Sequence, residues 1–293
     1  MSSLYHPTVA RLTYRALLGR RRALILFTLP GLLLIISLAV RLLTGSGDDT
    51  ADAILGGFAM ATMVPLIGVI AGTGAIGPEI DDGSVIYLLA KPVKRPTIIV
   101  TKLIVAIGVT VAFSAIPTLL AGFVLNGNAN QLAVGYAVAA AVASVAYSAV
   151  FLLLGTVTRH AVIAGLVYAL VWETFFGSLV AGARKLSVQQ WALALGQKVA
   201  DGDVITSDVG LATGVILLLA VTVAATWYAG RKLRTLTLAG RSDPGVTTGG
   251  HLGGPSSGPA DLPADLPRAA RARISRSRPG PAPPAPRTPP ASA

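Results

Sequence analysis

The sequence is poor in the residues that most catalytic and metal sites need. It contains no cysteine, which excludes disulfide bonds, thiolate metal sites and cysteine nucleophiles. Its three histidines, His6, His160 and His251, are scattered, and no GxxxxGK[ST] phosphate-binding motif occurs. No Ser/His/Asp set is recognisable either. The sequence therefore predicts no metal cluster, no bound cofactor and no active site for covalent chemistry.

Charged residues are also scarce. They make up 13% of the 293 residues, whereas a soluble domain usually carries about 25%. Hydrophobic residues make up 53%, and the mean hydropathy is +0.68. The net charge is +11, but the basic residues lie at the ends of apolar blocks and in the last fifty residues rather than on one amphipathic face. This placement indicates membrane topology and no specific nucleic-acid partner.

Six apolar stretches meet or approach the length of about 20 residues that a membrane-spanning helix needs. They cover approximately residues 23–43, 53–76, 98–125, 132–157, 161–181 and 210–229. The first stretch is too long for a signal peptide and lacks a small-residue cleavage site, so it predicts an uncleaved span. The sequence thus predicts an all-α polytopic membrane protein, with a six-helix transmembrane domain over residues 23–240.

The distribution of lysine and arginine predicts the orientation of these spans. Of the basic residues close to the spans, fourteen fall on the side that carries the N-terminus and four on the other side. Since basic loops remain in the cytoplasm, both termini are expected there, in a bacterial plasma membrane. Six spans supply the even number that this arrangement requires.

Two flanking segments differ from the spans. Residues 1–22 interleave leucine and valine with arginine, which predicts an amphipathic helix at the inner membrane interface, in contact with lipid; an ordinary positively charged flank is the alternative. Residues 241–293 are rich in proline, glycine, alanine and arginine, which predicts a disordered cytoplasmic tail. Its arginines favour contact with anionic lipid or nucleic acid, or simply solvation.

A glycine-rich stretch within the second span matches the spacing of a dinucleotide-binding fingerprint. Gly72, Gly74 and Gly77 have this spacing, but the fingerprint requires a preceding strand and a following helix. Here it ends a long apolar helix. Small residues such as Gly68 and Gly72 are therefore expected to allow close packing of helices.

The loop between the second and third stretches, residues 77–102, carries the most informative pattern, GPEIDDGSVIYLLAKPVKRPTIIVTK. Pro78 and the acidic residues after it suit the first turn of a helix, and Lys91 and Pro92 suit its end. The apolar residues between them, such as Val85 and Leu88, give one face. We interpret the segment as a short helix parallel to the membrane.

This loop resembles the first cytoplasmic loop of the membrane subunits of ABC type-2 exporters. The family pattern has an acidic pair, a glycine, a small residue, an apolar run ending in Leu-Leu, Pro-x-x-Arg, and a lysine about seven residues later. The matching residues here are Glu79, Asp82, Gly83, Ser84, Leu88, Leu89, Pro92, Arg95 and Lys102. Aspartate and serine stand at Asp82 and Ser84 where the familiar form has glutamate and threonine. The segment YALVWETFFGSL in the fifth stretch is also similar to the family, and the resemblance covers roughly residues 7–235.

The resemblance implies a function for the loop. In that family the loop is a coupling helix that docks on a separate ATP-binding-cassette ATPase subunit, which binds ATP and magnesium. The chain would then be a permease subunit without an ATPase site, pairing with a second copy or a similar permease to form an export path. Val85, together with the residues of the motif, would transmit ATPase closure to the spans. The alternative is that the loop only anchors itself at the interface.

Other functions remain open from the sequence. One is a secondary transporter or channel that works without ATP, and another is a membrane scaffold. Glu173, inside the fifth stretch, is expected to face the protein interior or a wet cavity, with either a substrate or proton role or a structural hydrogen bond. The scattered hydroxyl groups of the spans, such as those of Ser144, Tyr147 and Ser148, favour an amphipathic or hydrophobic cargo.

Overall fold

The computed structural model describes residues 7–45, 47–77, 79, 95–127, 129–158, 160–171, 185–201 and 204–239. Within these ranges every element is helical and no β-strand occurs, so the predicted all-α class is confirmed. The elements are α1 (Pro7–Leu17), α2 (Arg20–Thr44), α3 (Asp48–Asp52), a π-helical segment (Ala53–Met63), α4 (Val64–Gly74), α5 (Arg95–Asn126), a 3-10 turn (Ala129–Gln131), α6 (Leu132–Val157), α7 (Ala161–Val167), α8 (Val188–Val199) and α9 (Leu211–Ala239).

Among the described residues, five helical stretches are long and apolar enough to cross a membrane. They are Ala23–Thr44, Asp48–Gly74, Thr97–Asn126, Ala129–Val157 and Leu211–Lys232. They coincide with five of the six predicted spans, although the second begins a turn earlier than expected, at Asp48. For the remaining prediction, 161–181, an apolar helix covers Ala161–Val171, and the rest of that stretch lies outside the described residues.

The spans run in alternating directions between two ends of the bundle. At one end, here called the turn end, Arg41 of α2 donates a hydrogen bond to the carbonyl of Leu125 at 3.1 Å, and Asp48 of α3 accepts one from Asn130 at 2.9 Å. At the opposite end, the loop end, Lys102 of α5 contacts Ala75 just after α4. Consequently α2 and α5 run toward the turn end, and the span that ends in α4 runs away from it.

The chain crosses the bundle once more between α6 and α8. The last turns of α6 lie at the loop end, where Gly155 packs against Ile76. By contrast α8 lies at the turn end, where the Asp201 amide that follows it donates to the Asn130 carbonyl at 2.9 Å. Residues 158–187 therefore join opposite ends of the bundle, and α7 begins this connection. α9 then returns, because Ala225 and Ala229 share an apolar cluster with Ala75 at the loop end.

Two glycines let α4 pack very closely against α6. A Cβ atom added at Gly68 would lie 2.9 Å from Cβ of Tyr147, and one added at Gly72 would lie 2.7 Å from Cβ of Phe151. Only glycine allows the two backbones to approach this closely, which confirms the predicted packing role of these small residues. Outer helices show the opposite pattern, since large apolar side chains such as Ile35 of α2 and Val223 of α9 are exposed, as a lipid-facing surface requires.

The N-terminal helix α1 packs on α5 and α4 through one face. Val9 and Leu17 are buried, whereas Arg11 and Arg15 are exposed. Leu12, expected among the apolar residues of this segment, is 53% exposed. The helix is thus amphipathic, but its buried face contacts protein. Its position at the membrane interface stays a prediction, and the predicted tail over 241–293 lies outside the described residues.

Candidate functional site

A buried ion pair brings the two sides of the 77–102 loop together. Nζ of Lys102 lies 2.6 Å from Oε1 of Glu79. The same ammonium donates a second hydrogen bond, also 2.6 Å long, to the carbonyl oxygen of Ala75. Three groups from two helical regions therefore meet at one nitrogen atom, at the loop end of the bundle.

The end of α4 explains why a carbonyl is available there. If the helix continued, the carbonyl of Ala75 would accept the amide of Glu79 four residues later. The amide of Glu79 instead donates to the carbonyl of Ile76, at 3.1 Å. The Lys102 ammonium takes the place of that donor. A cation at this position also faces the negative end of the α4 dipole, which stabilises both.

The pair is set into an apolar environment. The side chain of Lys102 is fully buried, whereas that of Glu79 is 26% exposed. Around it, α4, α5, α6 and α9 contribute one cluster of apolar side chains, which includes Ala75, Ile76, Ile99, Leu103, Leu152 and Ala229. In such surroundings a charge is stable only while its partner stays in place, so the two side chains are strongly dependent on one another.

This geometry suits the transmission of movement rather than bond chemistry. Glu79 is fixed to the start of the loop and Lys102 to the first turns of α5, so the pair closes a loop of 23 residues. A displacement of the loop would have to move the end of α4 and the start of α5 together, or break the pair. The ion pair therefore links the end of α4 directly to the start of α5.

The structure describes three of the ten residues predicted to couple the loop to an ATPase, nine from the motif and Val85. It brings Glu79 and Lys102 into contact, and Arg95 is the first residue of α5. The remaining ones, Asp82, Gly83, Ser84, Val85, Leu88, Leu89 and Pro92, lie outside the described residues, as does Glu173. Their roles stay predictions.

The third member of the site, the Ala75 carbonyl, was missed by the sequence reasoning. It is a backbone group, so no residue type marks it. The available signal was the lysine itself, since Lys102 interrupts an apolar run that begins at Ile98. A basic residue one turn inside a span needs acceptors, and the carbonyls at the end of a neighbouring helix are the ones that lack donors.

A second polar cluster, also unpredicted, lies at the turn end. Asp48 accepts hydrogen bonds from the side-chain amides of Asn126 and Asn130, and Asp52 accepts one from the hydroxyl of Tyr136. These contacts tie α3 to the end of α5 and the start of α6. They provide hydrogen-bond donors for the carboxylates of Asp48 and Asp52, and they hold the helix ends together at the turn end.

The hydroxyl groups expected to favour an amphipathic or hydrophobic cargo join α5 to α6. Ser114 Oγ lies 2.6 Å from Ser144 Oγ, and Ser148 donates to Thr110 Oγ1 at 3.0 Å. All four side chains are fully buried, and so is Tyr147. In this structure they act as contacts between helices and not as the lining of a path.

In the part of the chain that the structure describes, neither the fingerprint spacing nor the ionisable residues form a nucleotide or metal site. Gly72 of the dinucleotide-like stretch packs directly on Phe151 inside a helical bundle, where a pyrophosphate has no room. Across the described ranges, no group of three histidine, aspartate or glutamate side chains is arranged to hold a metal ion.

Comparison with known proteins identifies the family. A sequence profile of the ABC-2 family transporter proteins matches residues 11–194, which is more than half of the chain. No curated protein matches the sequence. The matched range begins within α1, ends within α8 and includes the whole 77–102 loop, in agreement with the resemblance that the loop motif carries. The chain therefore belongs to the ABC-2 transporter family, and it is a membrane permease component of an ABC transporter rather than its ATPase.

Proposed function

We propose that this chain is the permease subunit of an ATP-driven exporter and that its 77–102 loop receives the force of a separate ATPase. Two permease chains, either identical or similar, form the export path between them. Two ATPase subunits bind ATP and magnesium and drive it. The observation that carries this proposal is the buried contact of Lys102 with Glu79 and with the Ala75 carbonyl.

The packing of α4 extends the effect of that contact into the membrane. A push on the loop reaches the end of α4 and the start of α5 through the ion pair. Because Gly68 and Gly72 leave no space between α4 and α6, α6 must follow α4. One displacement at the loop end thus moves three spans as a unit, as a change of access across the membrane requires.

The distribution of charge supports a cytoplasmic loop end. Arg11 and Arg15 are exposed on α1, which packs on α4 and α5, and Arg231 lies on the last turns of α9. The turn end carries acidic residues, among them Asp48, Asp49, Asp52 and Asp201. Basic residues are retained on the cytoplasmic side, so this polarity favours cytoplasmic termini in the plasma membrane and exposes the loop to a cytosolic ATPase.

Copurification with the ATPase tests the proposal. Val85→Asp and Leu88→Asp place a charge on the expected apolar face of the loop. We expect each to abolish capture of the ATPase and stimulation of its ATP turnover by the permease in lipid nanodiscs. Leu186→Asp is the control, since Leu186 is 57% exposed and precedes α8 at the turn end.

The result that contradicts coupling is unchanged assembly and unchanged ATP turnover in both loop variants. A chain that purifies without an ATPase and moves solute down a gradient would instead support a secondary transporter or a channel. Assembly with an ATPase but without solute movement would indicate a scaffold.

A further inference from the structure

The second span contains an uncommonly long π-helix. Ala53–Met63 forms 11 residues of it, between α3 and α4. At its end the amide of Val64 donates to Ala59, five residues back, whereas after α4 the amide of Ala75 donates to Ala71, four residues back. π-Helices are usually single turns within α-helices, and they are frequent at functional sites. This segment extends beyond one turn.

A proline marks the boundary between the two helix types. Pro65 stands in the first turn of α4, directly after the last π-helical hydrogen bond. In an uninterrupted α-helix its ring would collide with the carbonyl four residues earlier, and its missing amide hydrogen would leave a gap in the hydrogen bonds. At the first turn of a helix both costs are small. Pro65 therefore favours a change of hydrogen-bonding pattern at this point.

The two sides of this boundary are held in different ways. Beyond Pro65, α4 is locked against α6 at Gly68 and Gly72, where no side chain fits. Before it, Leu55, Met60 and Met63 are buried in the core, and side-chain hydrogen bonds add to this packing. Tyr136 donates to Asp52, and Nε2 of Gln189 donates to the carbonyl of Gly56 at 3.2 Å. Side-chain hydrogen bonds can break and re-form singly, whereas the glycine contact moves only as a whole.

We propose that Ala53–Met63 is a conformational relay that exchanges π-helical for α-helical hydrogen bonds. A π-helical turn contains about one residue more than an α-helical turn, so each turn that changes type shifts the following residues by about one position. One residue corresponds to about 100° of rotation and 1.5 Å along the axis of an α-helix. α3 then rotates relative to α4 while α4 stays packed on α6. The Asp52–Tyr136 hydrogen bond fits only one of the two states, so it acts as the latch of the relay.

The relay would connect the two ends of the bundle. The relay deepens the proposed function, because the ion pair lies at the far end of α4. It rests on the proposed function only for the force that drives the switch. Rotation of α3 would break the contacts of Asp48 and Asp52 and open the turn end. The structural switch itself is a property of the chain alone.

Spin labels can follow the switch without any ATPase. The chain has no cysteine, so two introduced cysteines are labelled uniquely. Asp49→Cys and Ala129→Cys, both at exposed positions of the turn end, report the position of α3 against the start of α6. Ala129→Cys with Val157→Cys measures the length of α6 and is the control pair. Distances are measured by pulsed electron paramagnetic resonance in nanodiscs.

Two substitutions should shift the balance between the states. Pro65→Ala restores an amide donor and removes the ring, and Tyr136→Phe removes the latch. With side chains about 5–6 Å from the helix axis, a rotation of 100° displaces the label on α3 by about 8 Å. We expect a second distance population in both variants, at least twofold larger than in the unsubstituted chain. Gly31→Ala, whose new Cβ meets nothing within 4 Å, should change nothing.

An unchanged distance between α3 and α6 in both variants, with an intact control pair, overturns the relay. If Pro65→Ala disturbs the control pair, Tyr136→Phe alone decides. The second population in a chain whose loop captures no ATPase would leave the relay standing and refute the exporter proposal. An assembled, ATP-driven exporter with a single, unchanging distance between α3 and α6 would support the exporter proposal and refute the relay.

Discussion

Removal of Glu79 should destabilise the protein more than removal of Lys102, although the lysine is the more buried of the two. Glu79→Ala leaves the fully buried ammonium with the Ala75 carbonyl as its remaining partner from this site. Breaking a buried pair from one side costs about 3–5 kcal/mol. Lys102→Met fills the same space with an apolar side chain and leaves a carboxylate that is already 26% exposed to water. Its main cost is the lost donor to Ala75, about 1–3 kcal/mol.

The double variant provides the decisive comparison. Once Glu79 is gone, Lys102→Met removes an unpaired charge, so the double variant should be more stable than Glu79→Ala alone by about 2 kcal/mol, within the usual range of coupling between contacting residues. Since 1 kcal/mol shifts Tm by roughly 2–4 °C in a chain of this size, Glu79→Ala should lower Tm by about 10 °C and the double variant by about half as much.

The assay is thermal unfolding in nanodiscs, followed by tryptophan fluorescence. Lys198→Met and Asp49→Ala are the matched controls, because both side chains are exposed, and neither should shift Tm by more than about 2 °C. Additive effects in the double variant, or a larger loss from Lys102→Met than from Glu79→Ala, would refute the reasoning. Either result would mean that the two charges are stabilised separately.

Two further predictions concern the packing of the spans. Gly72→Ala places a Cβ 2.7 Å from that of Phe151 and should destabilise the chain by about 1–3 kcal/mol, whereas Gly31→Ala should be neutral; the same unfolding assay distinguishes them. Ser144→Ala removes the hydrogen bond to Ser114 and should cost about 0.6 kcal/mol, the average for such bonds between membrane helices, with transport rates unchanged. A large loss of transport at unchanged stability would show instead that Ser144 contacts the cargo.

The predictable part of the fold is the part that the membrane dictates. Apolar length alone identified five spans to within a few residues, because the thickness of the hydrocarbon core sets the length of a helix. The packing role of Gly68 and Gly72 was also predictable, since small residues at helical spacing permit close approach. These properties depend on residue size and hydropathy, which are visible at each position in the sequence.

The remaining features depend on partners that are distant in the sequence. From the sequence, the hydroxyl groups of Ser144 and Ser148 indicate only an amphipathic or hydrophobic cargo, because a hydroxyl in a span has no visible partner until α5 is placed beside α6. The pairing of Lys102 with Glu79 required the same knowledge of two helices. The π-helix over Ala53–Met63 leaves no trace in hydropathy, because a change in hydrogen bonding by one residue alters no residue type.

The position of α4 between these features explains why the second span combines two α-helical segments with a π-helical one. In a uniformly α-helical span every displacement of the loop, however small, would act on the contacts of Asp48 and Asp52, whereas the relay breaks them only when it switches. A span that was pliable throughout would lose the displacement before it reached α6. Here α4, locked on α6 at Gly72, passes the displacement to α6, while the π-helical segment between α4 and the turn end can change its hydrogen bonding. The span is therefore rigid where it must move α6 and adaptable where it meets the turn end. If the ion pair acts first and the relay second, the populations of the two α3 states in the assembled Glu79→Ala complex should be the same with and without ATP. Tyr136→Phe should change these populations in both conditions.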